Sequence, residues 1–258
     1  MVHDFNLHHE FYRQPWGMLA RDLILAKIQE NWQKTGWKFT KETEFGAIGY
    51  VLPYLQIPAL NNAARTIIML LEDQPKQHFT PSKIKDNPPK NSALMVKDDI
   101  LPFDNNAFDR LLLIHSLEYV NHRRKFLQEV WRILKKDGKI TLIVPSRRGF
   151  WARNDKTPFG DGQPFNRQQL RRLLALEKFE ITHIDRALYM PPVQNSALLR
   201  LAPAIERAGS LITPQFGGVL IVEAEKRLYA PLFAKESVFS SKFIPKAMPQ
   251  PAMFSKHK

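Results

Sequence analysis

The sequence predicts an α/β fold built on a mostly parallel, doubly wound sheet. Aliphatic runs within Thr66–Leu71, Arg110–His115 and Lys139–Val144 are typical of strands that are covered on both faces. Pro15–Trp37 and Arg123–Lys136 carry apolar residues at three- and four-residue steps, which is typical of amphipathic helices. Because strands and helices alternate along the chain, we expect parallel strands joined by helical crossovers.

The first part of the chain is predicted to hold one helix, one strand and one irregular turn. The helix Pro15–Trp37 has Gly36 near its end, where a glycine commonly stops a helix. Glu42–Tyr50 has the apolar residues of a short strand that runs into a turn. Pro53–Ala64 is expected to form a short helix that is broken near Pro58.

The middle of the chain is predicted to complete the parallel part of the sheet. Leu94–Val96 is expected to form the third strand, after Thr66–Leu71. Four prolines within Gln74–Asn91 indicate that any helix between these two strands is brief or absent. The helix Arg123–Lys136 is followed by Gly138, which is expected to stop it.

The last part of the chain is predicted to add a long loop, two helices and two strands. Asn166 has the side chain of a helix N-cap, because its oxygen can accept a hydrogen bond from a backbone N–H of the first turn. The predicted elements are the loop Arg147–Pro164, a helix from Asn166 to Leu176, a helical insert Gln194–Leu211, and the strands Glu180–Asp185 and Gly218–Lys226.

The chain of 258 residues is expected to form one main domain, because that length can bury one substantial core. We place this domain at 1–233. The stretch 234–258 has five lysines, three prolines and no periodicity, so we expect a basic, extended or disordered tail.

Composition excludes several classes of site. The chain has no cysteine, so disulfides, thiolate metal sites and cysteine nucleophiles are excluded. Its histidines lack the spacing of a metal site, and we expect no metal. The N-terminal residues have no apolar core of signal-peptide length, and the apolar runs are far shorter than the ~20 residues of a membrane span. We therefore expect a cytoplasmic protein.

The chain is strongly basic, with 38 Lys and Arg against 25 Asp and Glu and a formal net charge of +13. Such an excess favours RNA, DNA, acidic lipid surfaces or anionic metabolites as partners. The basic residues are spread along the chain rather than packed in one block, so a role in solubility alone stays open.

Two candidate ligand-binding segments follow predicted strands, the position where open α/β sheets bind their ligands. Gly49, within Ala47–Val51, would let the backbone approach a ligand without an intervening Cβ. The acidic pair Glu72–Asp73 could accept hydrogen bonds from both hydroxyls of a ribose. Each segment taken alone is also compatible with an ordinary turn.

A longer block of sequence carries a family resemblance. Asp98–Asp109, the strand that follows it, Glu118–Val120 and then Phe126–Lys139 closely resemble a block of class I S-adenosylmethionine-dependent methyltransferases, in their type 11 or ubiquinone-biosynthesis-like group. Trp151–Phe165 and Phe11–Gly17 resemble a bacterial subgroup of that family. The resemblance extends from Phe11 to about Tyr229 and implies a Rossmann-like, three-layer α/β/α fold. It also implies S-adenosylmethionine as cofactor and S-adenosylhomocysteine as product.

The resemblance also implies roles for individual residues around the cofactor. The implied cofactor-binding residues are Ala47, Gly49, Tyr50 and Val51 at the methionine-binding turn, Glu72 near the ribose, Asp98, Asp99 and Ile100 near the adenine, and His115, Ser116 and Leu117 beside the sulfonium. The chain departs from the family at two places. Ala47 and Val51 stand where the family has its first and third glycines, and Lys97 stands where many members have an acidic residue.

Candidate catalytic and substrate-binding residues follow the fourth and fifth predicted strands. Methyl transfer depends mainly on alignment of the two reactants, and an acceptor that carries a proton also needs a nearby base. The candidates for that base are His115, Glu118 and Tyr119, although His115 could simply cap the strand and Tyr119 could pack in the core. The candidates for substrate contact are Arg147, Arg148, Trp151 and Arg153, in a loop that could equally be solvated around buried rings.

We therefore predict a methyltransferase with an unidentified acceptor. The alternative is a catalytically silent member of the fold that binds protein or RNA. A nicotinamide-dependent oxidoreductase is disfavoured because its spaced three-glycine fingerprint is missing. The enzyme prediction requires that side chains of Ala47, Tyr50 and Val51 leave open the groove beside Gly49.

Overall fold

Seven strands form one sheet in the computed structural model, which describes residues 7–72 and 91–227. The strands are β1 (Glu44–Gly49), β2 (Arg65–Leu71), β3 (Asn91–Val96), β4 (Phe108–Ile114), β5 (Leu134–Pro145), β6 (Phe179–Ala187) and β7 (Val219–Lys226). The helices are α1 (Leu7–Arg13), α2 (Pro15–Lys34), α3 (Arg123–Ile133), α4 (Pro158–Asp161), α5 (Arg167–Leu176) and α6 (Ser196–Ile212).

The sheet has the order β3-β2-β1-β4-β5-β7-β6. The five strands from β3 to β5 are parallel, and β7 lies antiparallel between β5 and β6. The strand order reverses beside β1, so the carboxyl ends of β1 and β4 flank the switch point at which open α/β sheets bind ligands. The predicted doubly wound, mostly parallel fold is thereby confirmed.

Each face of the sheet is covered by its own apolar core. On one face, Ile24 and Ile28 of α2 belong to the same buried cluster as Phe45 of β1 and Leu112 of β4. On the other face, α3 and α5 pack against a cluster that includes Leu111. Since Leu111 and Leu112 are adjacent in β4, their side chains point to opposite faces, and both are fully buried. This burial explains the continuous aliphatic runs.

The structure corrects the predicted end of one helix and adds a helix that was not predicted. Helix α3 ends at Ile133 rather than Lys136, because Leu134 already pairs with Phe108 and opens β5. Asp137, with φ of 61°, lies in the irregular part of β5 between Leu134 and Lys139, next to Gly138, which was expected to stop the helix. Helix α1 precedes Pro15 and was not predicted.

The described residues fall within one compact unit, Met1–Leu228. The predicted tail 234–258 lies outside them, so the division of the chain into a main domain and a tail stays a prediction. Asp73 and most of the proline-rich segment after it also lie outside the described residues. No helix in the ranges 7–72 and 91–227 has the length and apolarity needed to cross a membrane.

Candidate cofactor-binding and catalytic site

An acidic cleft lies at the carboxyl ends of β2 and β3. It has a volume of about 170 Å³ and is lined by Leu71, Glu72, Lys97, Asp98, Asp99, Tyr119 and Val120. The topology brings these residues together because parallel strands end at the same edge of the sheet. Three predicted cofactor-binding carboxylates, from Glu72, Asp98 and Asp99, therefore share one cleft. Ile100 is 65% exposed and does not line it.

The cleft is smaller than the roughly 300–1,000 Å³ of typical small-molecule sites. Its carboxylates suit a ligand that offers hydroxyl or amino donors, and its apolar lining, Leu71 and Val120, suits a flat ring. Lys97, which stands where the family often has an acid, adds a positive charge to the lining. The cleft alone has room for part of a nucleoside cofactor rather than for the whole of it.

Gly49 ends β1 in a conformation that side chains disfavour, with φ of +98°. A Cβ at this position would lie 2.2 Å from the carbonyl oxygen of Ile114 and 2.8 Å from that of His115. The glycine therefore lets the end of β1 pack against the end of β4. Its neighbours Ala47 and Val51 are fully buried in the core on the α2 face, so in this structure the glycine turn serves internal packing.

The segment after β4 holds a buried hydrogen-bonded chain of side chains. The Tyr12 hydroxyl lies 2.6 Å from His115 Nε2 and 2.6 Å from the Tyr54 hydroxyl. On the other side of the ring, His115 Nδ1 lies 3.2 Å from Glu118 Oε1. Glu118 Oε2 accepts a hydrogen bond from the Ser116 N–H at 3.1 Å. Two of the catalytic candidates, His115 and Glu118, are thus in contact, and Tyr12 and Tyr54 extend the chain of side chains.

Burial controls the protonation of this chain. Loss of hydration raises the pKa of Glu118 to about 8 and lowers the pKa of His115 to about 3. Burial also raises the pKa of Tyr12 well above its ordinary value. At neutral pH the imidazole is therefore neutral and can exchange hydrogen bonds with both of its neighbours. Such strongly shifted groups at a strand end are candidates for acid–base chemistry.

The structure places the third catalytic candidate, Tyr119, at the border of the cleft. Its hydroxyl donates to the backbone carbonyl of Pro158 at 2.9 Å, which ties it to α4. Burial raises its pKa well above the ordinary value, so the phenol keeps its proton at neutral pH. Of the other residues implied beside the sulfonium, Ser116 and Leu117 are fully buried.

Helix α1 fills the groove beside Gly49. The ring of His8 lies 4.9 Å from those of Tyr50 and His115 and 5.3 Å from that of Tyr119. Tyr12 stacks on Tyr50 at 5.7 Å with an interplanar angle of 15°. The open groove that the sequence analysis requires is therefore absent from this part of the structure, because Tyr50 and two residues of α1 occupy it.

Three members of the site, His8, Tyr12 and Tyr54, were not predicted from the sequence. His8 and Tyr12 lie four residues apart in α1. Phe11 lies between them, and the side chains of His8, Phe11 and Tyr12 are all buried. That short spacing is the signal of a helix face, but α1 has only seven residues. Tyr54 lies in the 3₁₀ turn Leu52–Tyr54, directly after the glycine turn.

The predicted substrate loop divides into one core residue and three surface residues. Trp151 is fully buried, its Nε1–H donates to the Met190 carbonyl at 2.7 Å, and its ring stacks on Trp16 at 5.9 Å. It is therefore a packing residue and is not available to a substrate. The exposed members are Arg147, Arg148 and Arg153. They do not line the acidic cleft of the described structure.

The protonation of Glu118 predicts how stability depends on pH. In the unfolded chain Glu118 ionises near its ordinary pKa of 4.5, whereas in the folded protein it ionises near pH 8. Between these pH values the folded state binds more protons than the unfolded state, so stability falls as the pH rises. Buried Glu223, whose pKa burial also raises to about 8, acts in the same direction. The lowered pKa of His115 has the opposite effect, but only below about pH 6.5.

We therefore expect the melting temperature to fall from pH 6.5 to pH 8, as measured by circular dichroism. Glu118→Gln should reduce the fall, and combining it with Glu223→Gln should nearly remove it. The exposed Glu42→Gln is the matched control and should leave the slope unchanged. A melting temperature that rises over this range would contradict burial of two protonated carboxyls.

Comparisons with known proteins agree with this architecture. A family model described as a methyltransferase domain matches residues 69–142, which include the cleft carboxylates and the segment after β4. An uncharacterized protein of Methanocaldococcus jannaschii is 28% identical over 133 residues. That match covers 49% of this chain, and the chain spans 57% of the length of that relative.

Several solved structures share the fold at low identity. An S-adenosylmethionine-dependent methyltransferase of Thermotoga maritima has a TM-score of 0.56 at 16% identity, covering 88% of this chain and all of that one. The protein bound to the Trm112 methyltransferase activator of Haloferax volcanii has a TM-score of 0.60 at 15% identity, with coverages of 90% and 100%.

A third solved structure is a geranyl diphosphate C-methyltransferase of Streptomyces coelicolor, in complex with Mg²⁺, geranyl diphosphate and S-adenosylhomocysteine. It has a TM-score of 0.54 at 17% identity and covers 78% of this chain and 77% of its own. The resemblance inferred from the sequence is thereby confirmed at the level of the fold: residues 69–142 match a methyltransferase-domain model, and the chain has the fold of the class I S-adenosylmethionine-dependent methyltransferases.

Proposed function

We propose that the protein transfers a methyl group from S-adenosylmethionine to an unidentified acceptor. The observation that carries the proposal is the acidic cleft, which lies at the sheet edge where open α/β folds bind nucleoside ligands. Glu72, Asp98 and Asp99 line it, and the methyltransferase-domain match spans all three residues. Carboxylates are suitable acceptors for ribose hydroxyls and for an adenine amino group.

The described residues fit the two halves of the cofactor differently. The cleft offers acceptors and apolar walls for the adenosine half. The methionine half would lie beside Gly49, where His8, Tyr12 and Tyr50 now pack together. We therefore propose that cofactor binding requires α1 to move away from the ends of β1 and β4, and that Tyr50, once it loses its contacts with His8 and Tyr12, turns out of the groove.

The proposed chemistry for the chain itself is positioning and proton transfer. When bound, S-adenosylmethionine supplies a methyl group that is already activated for displacement. The chain must align the acceptor with that methyl group and, for a protonated acceptor, take its proton. We assign the second task to the His115–Glu118 pair as a unit, because Nδ1 of His115 lies 3.2 Å from Oε1 of Glu118 and a proton can pass between the two side chains. Tyr119, at the cleft border, is the candidate for contact with the acceptor.

Calorimetry with S-adenosylmethionine and S-adenosylhomocysteine tests the proposal. We expect both ligands to bind. Only molecules in which α1 has moved away can bind the ligand, so the observed affinity equals the affinity of this open form multiplied by its fraction. The absence of binding of either ligand at millimolar concentration would contradict the proposal. That result would leave the alternative, a silent protein- or RNA-binding member of the fold.

Tyr12→Phe is expected to tighten S-adenosylhomocysteine binding by about fivefold. The variant keeps the stacked ring but removes the hydroxyl that contacts His115 and Tyr54, and a typical hydrogen bond stabilises by about 1 kcal/mol. The closed position of α1 would lose that stabilisation. Arg13→Ala, on the exposed side of the same helix, is the matched control and should bind as the wild type does. Weaker binding by Tyr12→Phe would contradict the proposed movement of α1.

A further inference from the structure

Helix α6 exposes an apolar face to solvent. Of its 17 residues, Ala202 is the one that is fully buried. With 3.6 residues per turn, one flank of α6 and the side opposite to Ala202 together present a continuous set of apolar residues, which we call the outer α6 face: Ala197, Leu201, Ala204, Ala208, Leu211 and Ile212. Leu201 is 56% exposed, Leu211 83% and Ile212 77%. A face of this size, without a covering element among the described residues, indicates an interaction site.

The inner side of α6 accounts for how the helix is held. Glu206 accepts hydrogen bonds from the N–H groups of Leu188 and Tyr189, both at 2.7 Å. A Cβ on Gly209 would lie 2.5 Å from Cβ of Tyr189, so the helix packs closely there. These contacts fix α6 to the domain by its inner side, which leaves the outer α6 face available to a partner.

Two exposed aromatic rings lie at the turn that follows α6. Phe216 lies in the 3₁₀ turn Pro214–Phe216 that follows the helix. Its ring stacks on that of Phe150 at 6.3 Å and an interplanar angle of 20°. Phe216 is 37% exposed and Phe150 48% exposed. The apolar surface therefore includes aromatic as well as aliphatic side chains.

The surroundings of this surface are positively charged. Arg200 and Arg207 are exposed along one edge of the outer α6 face. Arg186 donates a hydrogen bond to the Pro214 carbonyl at 3.0 Å, and the charges of Arg148 and Arg167 help to lower its pKa, after burial. Glu206 is the one acidic residue in the sequence of α6, and its carboxylate is turned to the inner side.

We infer that the outer α6 face, with Phe150 and Phe216, docks the protein on an anionic lipid surface. Helices that lie in a membrane interface combine Leu and Phe on one face with Lys or Arg at its edge, and each basic residue near an anionic leaflet adds to the attraction. A second copy of the chain would bring arginine against arginine between two molecules of formal charge +13. This inference does not depend on the proposed methyl transfer.

Sedimentation with lipid vesicles tests the inference on the full chain. The probes are vesicles of phosphatidylcholine alone and vesicles with about one third phosphatidylglycerol. We expect binding to the anionic vesicles that decreases at high salt, and little binding to the neutral ones. Leu211→Ser combined with Ile212→Ser should weaken binding by about tenfold, and Arg200→Ala combined with Arg207→Ala should weaken it similarly.

Leu176→Ser is the matched control, because Leu176 is 65% exposed on a different helix, α5, and it should bind as the wild type does. Circular dichroism spectra and thermal unfolding establish that each variant is folded. Vesicle binding that is unchanged by the Leu211 and Ile212 substitutions would overturn the inference. Light scattering that shows a dimer for the wild type and a monomer for the variant with both Leu211→Ser and Ile212→Ser would also overturn it, because a second copy of the chain would then cover the outer α6 face. Binding to an acidic polypeptide but not to vesicles would also overturn it.

Discussion

Glu72→Gln is expected to weaken S-adenosylhomocysteine binding by about a hundredfold. Glu72 directly follows β2 and lines the acidic cleft, where its carboxylate can accept hydrogen bonds from both ribose hydroxyls. Hydrogen bonds to a charged group each contribute about 1.5–3 kcal/mol, and about 2.7 kcal/mol corresponds to a hundredfold change in affinity. The amide of Gln keeps the shape of the side chain but offers one acceptor oxygen in place of two.

Isothermal titration calorimetry measures this effect, with Glu42→Gln as its control. Glu42 is exposed ahead of β1, at the opposite edge of the sheet from the cleft, so its replacement removes the same charge without touching the site. Comparable affinities for wild type and Glu72→Gln would show that the cleft is not the ribose site. Equal weakening by both variants would mean that net charge, rather than a specific contact, governs binding.

Gly49→Ala is expected to lower the free energy of unfolding by about 3 kcal/mol. The new Cβ would lie 2.2 Å from the Ile114 carbonyl oxygen, in a backbone conformation with φ of +98°. Backbone strain and overpacking of a rigid core each cost about 1–3 kcal/mol. For a chain of this size, each kcal/mol lowers the melting temperature by roughly 2–4 °C, so we expect a fall of about 10 °C.

Gly36→Ala separates the two causes. Gly36 also has positive φ, +68°, but nothing lies within 4 Å of its missing Cβ, so this variant carries the backbone strain alone. We expect it to cost about 1 kcal/mol. Thermal and urea unfolding of both variants measure the difference. Equal losses would contradict close packing between the end of β1 and the carbonyls after β4.

Much of the fold follows from the sequence because the sheet is buried on both faces. The aliphatic runs of β2, β4 and β5 could be recognised without any alternation, since both faces of each strand contact apolar residues. The end of α3 could not be recognised. The residues after it have the basic and glycine pattern of a helix stop, but Leu134 pairs with Phe108 and the Lys135 ammonium forms an ion pair with Asp109 at 2.8 Å. These tertiary contacts decide the boundary.

The sequence predicts the part of the site that lies at the ends of the strands. It does not predict the part that is formed by segments far apart in the chain. Glu72, Asp98 and Asp99 share a cleft because β2 and β3 are neighbouring parallel strands, which the order of elements implies. Tyr12 contacts His115, which lies 103 positions later in the sequence. The local sequence pattern around these two residues does not predict this contact. The aromatic character of Trp151 suggested substrate stacking, but the ring packs against Trp16 in the core.

In the proposed binding mode, the acidic cleft holds the adenosine half of S-adenosylmethionine, and α1 moves to make space for the methionine half. A crystal structure of the full chain grown with S-adenosylhomocysteine tests it most directly. We predict ribose hydroxyls hydrogen-bonded to Glu72, the adenine ring beside Asp98 and Val120, and His8 displaced from its position between Tyr50 and His115. Electron density for the ligand outside the cleft would contradict this binding mode. An empty cleft with His8 in its present position, in crystals grown at a saturating concentration of S-adenosylhomocysteine, would contradict it as well.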